Sequence, residues 1–422
     1  MPERVSVLKC LAVMAVFYLA GPGGAAPLKA ETSKAETETQ FRTWLDKDLW
    51  PDAKAKGISR ATFDKAFSGV KLNWKLPDLV PPGTRPTTPK EQVQAEFGSP
   101  GKYFNEKTIG HVVAGGRTRA AQHARTLAAI EKQYGVPGAI VLAIWGRESG
   151  FGAVKIPYNA FEVLGTKAFM ATRKEMFRKE LLAALQIVQK NYIDVGSMKS
   201  SWAGALGQPQ FMPTSFLDHA VDFDGDGKRD IWNSVPDTLA SIANYLHLYG
   251  WQRGRDWGFE VKVPAGLTCA LEGPDQGLKV ADWAKMGITR VNGKPFPASE
   301  LAGEGYLLMP AGRHGPAFIA TPNFYVLKSY NMSDLYALFI GHAADRIGNN
   351  ARGFSQEWGN VGGMYRSDIA AMQKALQAKG YDVGKADGLP GFKTRRSIGD
   401  WQAKHGQAAT CFPEKSLIGA IK

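Results

Sequence analysis

The carboxyl best placed to move a proton in this chain is that of Glu148. It closes the segment from Val136 to Gly152, in which Ala139 to Trp145 is apolar throughout and Pro137 suits the first turn of a helix. Counting back three and four positions reaches Trp145 and Ile144, so the carboxyl projects from an apolar stripe at the helix end. Such a setting disfavours the charged form, and a carboxyl that stays protonated near neutral pH is what a general acid requires. Gly150 and Gly152 end the helix and leave room for a substrate. Read on this segment alone, Glu148 could equally be half of a structural pair with Arg147 or another cation.

A second stretch, Ser201 to Ser215, holds Gly204, Gly207, Gln208, Gln210, Trp202, Phe211 and Pro213. That mixture makes a poor helix but a good lining for a polar, sugar-sized groove, since amides and aromatic faces bind neutral carbohydrate; the bland reading is an ordinary core turn. A third, Asp222 to Asn233, puts Asp222, Asp224 and Asp226 at positions 1, 3 and 5 of an EF-hand loop. Gly227 then falls at 6, the Lys228 carbonyl at 7 and Asp230 at 9. Position 12 is Asn233 instead of a bidentate Glu, so the loop predicts weak calcium binding, structural and not catalytic. The alternative is an Asp-rich turn without metal. No cofactor is expected for catalysis.

Other chemistries lack their residues. No two of the seven histidines stand four apart, so there is no His-Glu-x-x-His zinc helix. A Gly-Lys-Ser/Thr phosphate loop, a dinucleotide fingerprint and a Gly-x-Ser-x-Gly elbow are likewise missing. The formal charge of +13 suits a polyanionic partner, whether nucleic acid, an anionic membrane or an acidic wall polymer. The basic residues are dispersed, which disfavours nucleic acid.

The elements that must position these residues follow from periodicity. With 422 residues, 44% hydrophobic and 22% charged, the chain predicts one large domain and a smaller one. Residues 1–30 carry Arg4 and Lys9, an apolar run from Cys10 to Ala20 and small residues from Gly21 to Ala26, the order of a secretory signal peptide, with cleavage near Ala26 or Ala30. The run is short of the ~20 apolar residues a membrane span needs, so a soluble, exported, periplasmic protein without a stable membrane anchor is expected. Glu31 to Gln40 reads as a mobile lead-in, and Phe41, Trp44, Leu45 and Leu49 begin the fold at helical spacing. Asp78 to Lys90 is an irregular, proline-rich connection. Arg117 to Ser149, Met170 to Tyr192 and Ser333 to Ile347 read as helix. Phe259 to Val263, Tyr306 to Met309 and Asn323 to Leu327 read as strands of a small sheet. Residues 38–347 form the large domain, 348–363 a Gly- and Asn-rich linker, and 364–422 a small three-helix module with stripes through Ile369, Met372, Leu376, then Ile398 and Trp401, then Leu417, Ile418 and Ile421. Cys269 and Cys411 remain after the leader, either bridged or as separate buried thiols. The fold class is α+β, mainly helical.

Glu148-Ser-Gly-Phe-Gly152, Ser201 to Pro213, Asp222 to Trp232, Asn244-Tyr245 and Asn323-Phe-Tyr with Tyr330-Asn331 together resemble the membrane-bound lytic murein transglycosylase B family, glycoside hydrolase family 103. The resemblance runs from about Phe41 to Ile347. The last module, through Leu376-Gln377, Gly380-Tyr381, Asp387-Gly388, Gly391, Thr394, Ile398 and Trp401-Gln402, resembles a peptidoglycan-binding domain. The resemblance implies a lysozyme-like domain that cuts the β-1,4 bond between N-acetylmuramic acid and N-acetylglucosamine. Glu148 would be its lone catalytic acid, and Ser201, Gln210, Phe211, Tyr245, Tyr330 and Asn331 would line the substrate groove. It implies 1,6-anhydromuramyl products by a substrate-assisted route, with glycan strands as partner and other wall enzymes as candidate partners. Phe177 departs from the hydroxyl-bearing aromatic of some members. A muramidase on the same substrate and a non-catalytic wall-binding scaffold are the alternatives.

Overall fold

The computed structural model describes residues 33–85, 100–359, 361 and 363–421. The predicted signal peptide lies outside them, as does the proline-rich connection beyond Arg85. The polar lead-in is helical from Lys34, not loose: the Ser33 hydroxyl caps the Lys34–Trp44 helix by accepting from the Glu36 amide, and Thr37 and Phe41 turn into the core. The stretch read as helix up to Ser149 is three helices, Glu106–Gln122, Ala124–Tyr134 and Gly138–Ser149. Gly135, left-handed at φ 77°, and Pro137 divide the last two.

Gly138–Ser149 is the axis of the large domain. Eight of its twelve residues are buried, as its uniformly apolar sequence requires, and it packs against Glu106–Gln122, Val235–Leu248 and Asp334–Gly348. At Gly146 an added Cβ would stand 2.6 Å from Phe151 Cζ, so only glycine lets the chain fold back there after the helix ends.

Beside the helices lies an antiparallel five-stranded sheet, in the order Leu278–Lys279, Glu304–Leu308, Ala317–Ala320, Gly258–Lys262, Thr289–Arg290. Its two faces divide by strict alternation. Phe259, Val261, Leu307 and Ile319 enclose a small core with Trp283, whereas Leu308, Phe318 and Ala320 join the main helical core. The predicted strand Asn323 to Leu327 is instead the Pro322–Tyr330 helix: Pro322 opens it and the Thr321 hydroxyl accepts from the Asn323 amide. A short run of Phe, Tyr, Val and Leu fits either structure, and the cap decides.

The C-terminal module has two helices, Arg366–Ala378 and Phe392–Lys404, and only a single 3₁₀ turn, Lys415–Leu417, where a third helix was expected. They enclose Met372, Leu376, Val383, Ile398, Trp401, Leu417 and Ile421. The module is docked on the sheet side of the large domain. Cys269 and Cys411 are disulfide-bonded, and Arg395 meets Glu272 at 2.5 Å with both side chains buried. The segment before the module is no free tether: Phe354 stacks on His342, Trp358 stacks on Phe104, and the Glu260 carboxylate accepts from the Ser355 and Gln356 amides.

Candidate active site

Glu148 sits one residue before the end of Gly138–Ser149, half-buried, on the wall of a cleft of about 180 Å³ that Ser201, Trp202, Gln210, Lys155 and Tyr158 also line. Among the described lining residues it is the only carboxylate. Desolvation pushes its carboxyl up to about 7; a hydrogen bond from Tyr336 and the more distant Arg147 charge pull the other way. The Tyr336 hydroxyl donates to Glu148 Oε1 at 2.5 Å. Arg147 forms no ion pair with it and instead lies over the rings of Tyr103 and Phe339, 4.9 Å from each centroid. The pairing that the segment alone left open is therefore not made.

Another carboxyl, Asp345, is also pushed up to about 7, by burial and by neighbouring Asp256. It lies elsewhere, in a larger cavity of about 540 Å³ around the opposite end of the same helix, with Gly138 and Trp251. Its Oδ2 accepts from the Trp257 indole at 3.1 Å, and the Ser201 stretch does not reach it. The Glu148 cleft unites an unpaired acid with amide and aromatic walls and is the candidate site.

The Ser201 stretch folds as a chain of tight turns. The Ser201 amide donates to the Ala205 carbonyl and its hydroxyl accepts from the Ala205 amide, while Gln210, in the left-handed region at φ 55°, donates its side-chain amide to the Gly207 carbonyl at 2.9 Å. Gln208 ties the wall to the acid's helix: its Oε1 accepts from Trp145 Nε1 at 2.8 Å and its Nε2 donates to the Trp232 carbonyl.

The other predicted groove residues separate into three kinds of place. Ser201 and Gln210 are on the cleft. Phe211 is not: it is 2% exposed, packed behind the site against Tyr245 and Tyr330, and this corrects its assignment as a groove residue. A large apolar ring on a turn was bound to be drawn inward, and of the two aromatics in the stretch Trp202 took the open position. Tyr245 and Tyr330 form an aromatic tier whose hydroxyls donate to the Ser329 and Pro209 carbonyls at 2.7 and 2.6 Å. Tyr330 stacks parallel to Tyr336, so the tier backs the acid. Asn331 is exposed, and its side-chain oxygen accepts from the Ser333 amide at the start of the next helix.

Sequence reasoning missed Tyr336. The Ser333 hydroxyl caps Asp334–Gly348 by accepting from the Tyr336 amide, which fixes this tyrosine in the first turn and facing inward. The available signal was generic: a buried tyrosine needs an acceptor for its hydroxyl, but periodicity does not say which.

In the Asp-rich loop, carboxylate oxygens of Asp222, Asp224 and Asp237 lie within 4.8 Å of one another. Asp226 and Asp230 do not join that group. Asp230 accepts from the Trp232 and Asn233 amides, and Asp226 from the Lys228 amide. Asp237 was also missed because it falls beyond the twelve-residue loop, in the first turn of Val235–Leu248. Its carboxylate accepts from the Phe223, Asp224 and Asp230 amides and so staples the loop to that helix. Three hard carboxylate oxygens this close together are a donor set that fits calcium.

Against known proteins, residues 40–345 match the transglycosylase SLT domain family and residues 365–412 the peptidoglycan binding domain family. The membrane-bound lytic murein transglycosylase B of Escherichia coli (strain K12) is 31% identical over 222 residues, covering 49% of this chain and 56% of that relative, so the chain matches about half the relative's length. The solved structure of SltB3 from Pseudomonas aeruginosa in complex with NAG-anhNAM-pentapeptide is 38% identical, covers 90% of this chain and 99% of that one, and superposes with a TM-score of 0.78. Escherichia coli lytic transglycosylase Slt35 in complex with calcium is 27% identical over 60% of this chain and 80% of that one, with a TM-score of 0.51. The lysozyme-like α+β fold expected from sequence is the one these neighbours share, and over the greater part of its length this chain belongs to the transglycosylase SLT domain family.

Proposed function

We propose that the protein is a lytic transglycosylase that cleaves the β-1,4 bond between N-acetylmuramic acid and N-acetylglucosamine in peptidoglycan. The observation that carries this reading is a single carboxyl, raised to about 7 by burial, on a sugar-sized cleft whose other described lining residues include no second acid. Most hydrolases that retain or invert configuration use two carboxylates at a set separation. With one, the substrate must supply the rest.

Glu148, protonated, gives its proton to the glycosidic oxygen as the C1–O bond breaks. The acetamido carbonyl of the muramic acid closes on C1, and the leaving strand departs with a hydroxyl. Glu148, now ionised and steadied by the Tyr336 hydroxyl, takes the proton from the sugar's own C6 hydroxyl, whose oxygen displaces the acetamido group from C1. The carboxyl is protonated again, no water is consumed, and a 1,6-anhydromuramyl end results.

The family of the last module supports attachment to the same polymer, and the leader residues support a periplasmic address. Asp222, Asp224 and Asp237, with the Lys228 carbonyl, would hold a structural calcium ion that braces the loop behind Gln208. Mass spectrometry of digested wall tests the reaction: anhydro ends are lighter by one water than the reducing ends a muramidase leaves. Glu148→Gln is expected to lower release of anhydro products by at least about a thousandfold, because it removes both proton transfers; a scaffold would keep its effect on the wall.

A further inference from the structure

We propose that Trp202 is a stacking platform for a sugar ring of the bound strand, and that the buried Lys167 ammonium beneath it is a positioning residue that holds the indole in place. The inference rests on the glycan-cleaving reading and names one subsite of that cleft.

Trp202 lines the same cleft as Glu148 and is 50% exposed, whereas Trp145, Trp251, Trp257, Trp283 and Trp401 are each at most 7% exposed. Leaving half of the largest apolar side chain in water forgoes burial that a ligand can restore. The apolar face of a hexosamine ring, with its weakly positive C–H groups, matches the negative face of an indole. The neighbouring Ser201 and Gln210 supply polar groups beside it.

The opposite side of the ring explains how it keeps that pose. Lys167 is 1% exposed, an unusual state for a lysine, and its ammonium lies 5.2 Å from the Trp202 ring centroid and 4.9 Å from that of Phe177. Its hydrogen bond goes to the Pro77 carbonyl at 3.3 Å. Desolvation lowers its pKa, so the two ring faces partly replace the lost water. A cation packed against the inner face and solvent on the outer one orient the indole for stacking. The pairing of Tyr158 with Ser200 ties another residue of the cleft lining to the strand that leads into Trp202.

The test uses the full chain carrying Glu148→Gln, so that ligand is bound but not cut, with N-acetylchitotetraose as the probe in calorimetry. Adding Trp202→Ala is expected to weaken binding by about tenfold or more, and Trp202→Phe by much less. In the chain with Glu148 intact, Lys167→Met is expected to raise KM for isolated glycan strands about fivefold while kcat and its pH profile stay near their original values. If the Glu148→Gln chain does not bind the probe, the glycan reading falls. If it binds and Trp202→Ala binds equally well, only the platform is overturned, and a loss of kcat without a change in KM overturns the role given to Lys167. Because Trp202 is half exposed, its substitution leaves the fold intact and the result decides.

Discussion

At the scale of single residues, the site is a contest over one proton. Burial favours neutral Glu148 and the Tyr336 hydrogen bond favours the ionised form, with burial winning to give a value of about 7. Activity that begins with proton donation should therefore fall as pH rises through about 7. Tyr336→Phe removes the group that steadies the anion, so the falling limb should move to higher pH while the rate at the optimum drops by about tenfold or more; a pH–rate profile reads both. The same proton is linked to stability. The folded carboxyl holds its proton above the ordinary value of 4.5, so its favourable contribution is full below that pH and is lost as pH rises through about 7. Above that, Glu148→Gln should be the more stable chain, by about 3 kcal/mol at pH 8 in chemical denaturation and by almost nothing at pH 4.

Among the elements, the link from the Asp-rich loop to the acid's helix is the informative one. Asp237 staples the loop, the loop's Trp232 carbonyl holds Gln208, and Gln208 holds Trp145 within the helix that ends beside Glu148. Calcium at Asp222, Asp224 and Asp237 should raise the melting temperature by several degrees at millimolar concentration, and Asp224→Asn should abolish the rise. Calorimetric scans with calcium or with chelator check this. Gly152, at φ 79°, lies so near Gln208 that a Cβ would stand 2.5 Å from its Oε1. Gly152→Ala should cost about 1–3 kcal/mol of stability, read in denaturant melts, and should also lower activity, because the displaced Gln208 releases the helix that carries the acid.

For the whole molecule, the question is how the C-terminal module is attached. Arg395 reaches Glu272 through three hydrogen bonds between two buried side chains, Arg396 pairs with Asp275, and Cys269 is bonded to Cys411 across the same junction. Arg395→Met would leave Glu272 buried without its cation, a change that costs about 3–5 kcal/mol. The expected result is a lower unfolding transition, shared by the sheet and the C-terminal module, in differential scanning calorimetry. Replacing both cysteines by serine should lower stability by a further 2–4 kcal/mol or so.

Features that depend on local order are legible in the amino-acid order alone. The apolar run before Glu148, the alternating strands at Phe259 and Tyr306, the Asp-rich loop, and the helical stripes of the last module all record which face of an element must be buried, and burial has the period of the element. The perturbed acid was legible for the same reason. What joins distant segments was not. Tyr336, 188 positions from its acceptor, Asp237 closing a loop from the next helix, the inward turn of Phe211 against the outward turn of Trp202, and the pairing of Cys269 with Cys411 follow from which surfaces meet. Periodicity carries no distance between segments, so only the packed chain could decide them.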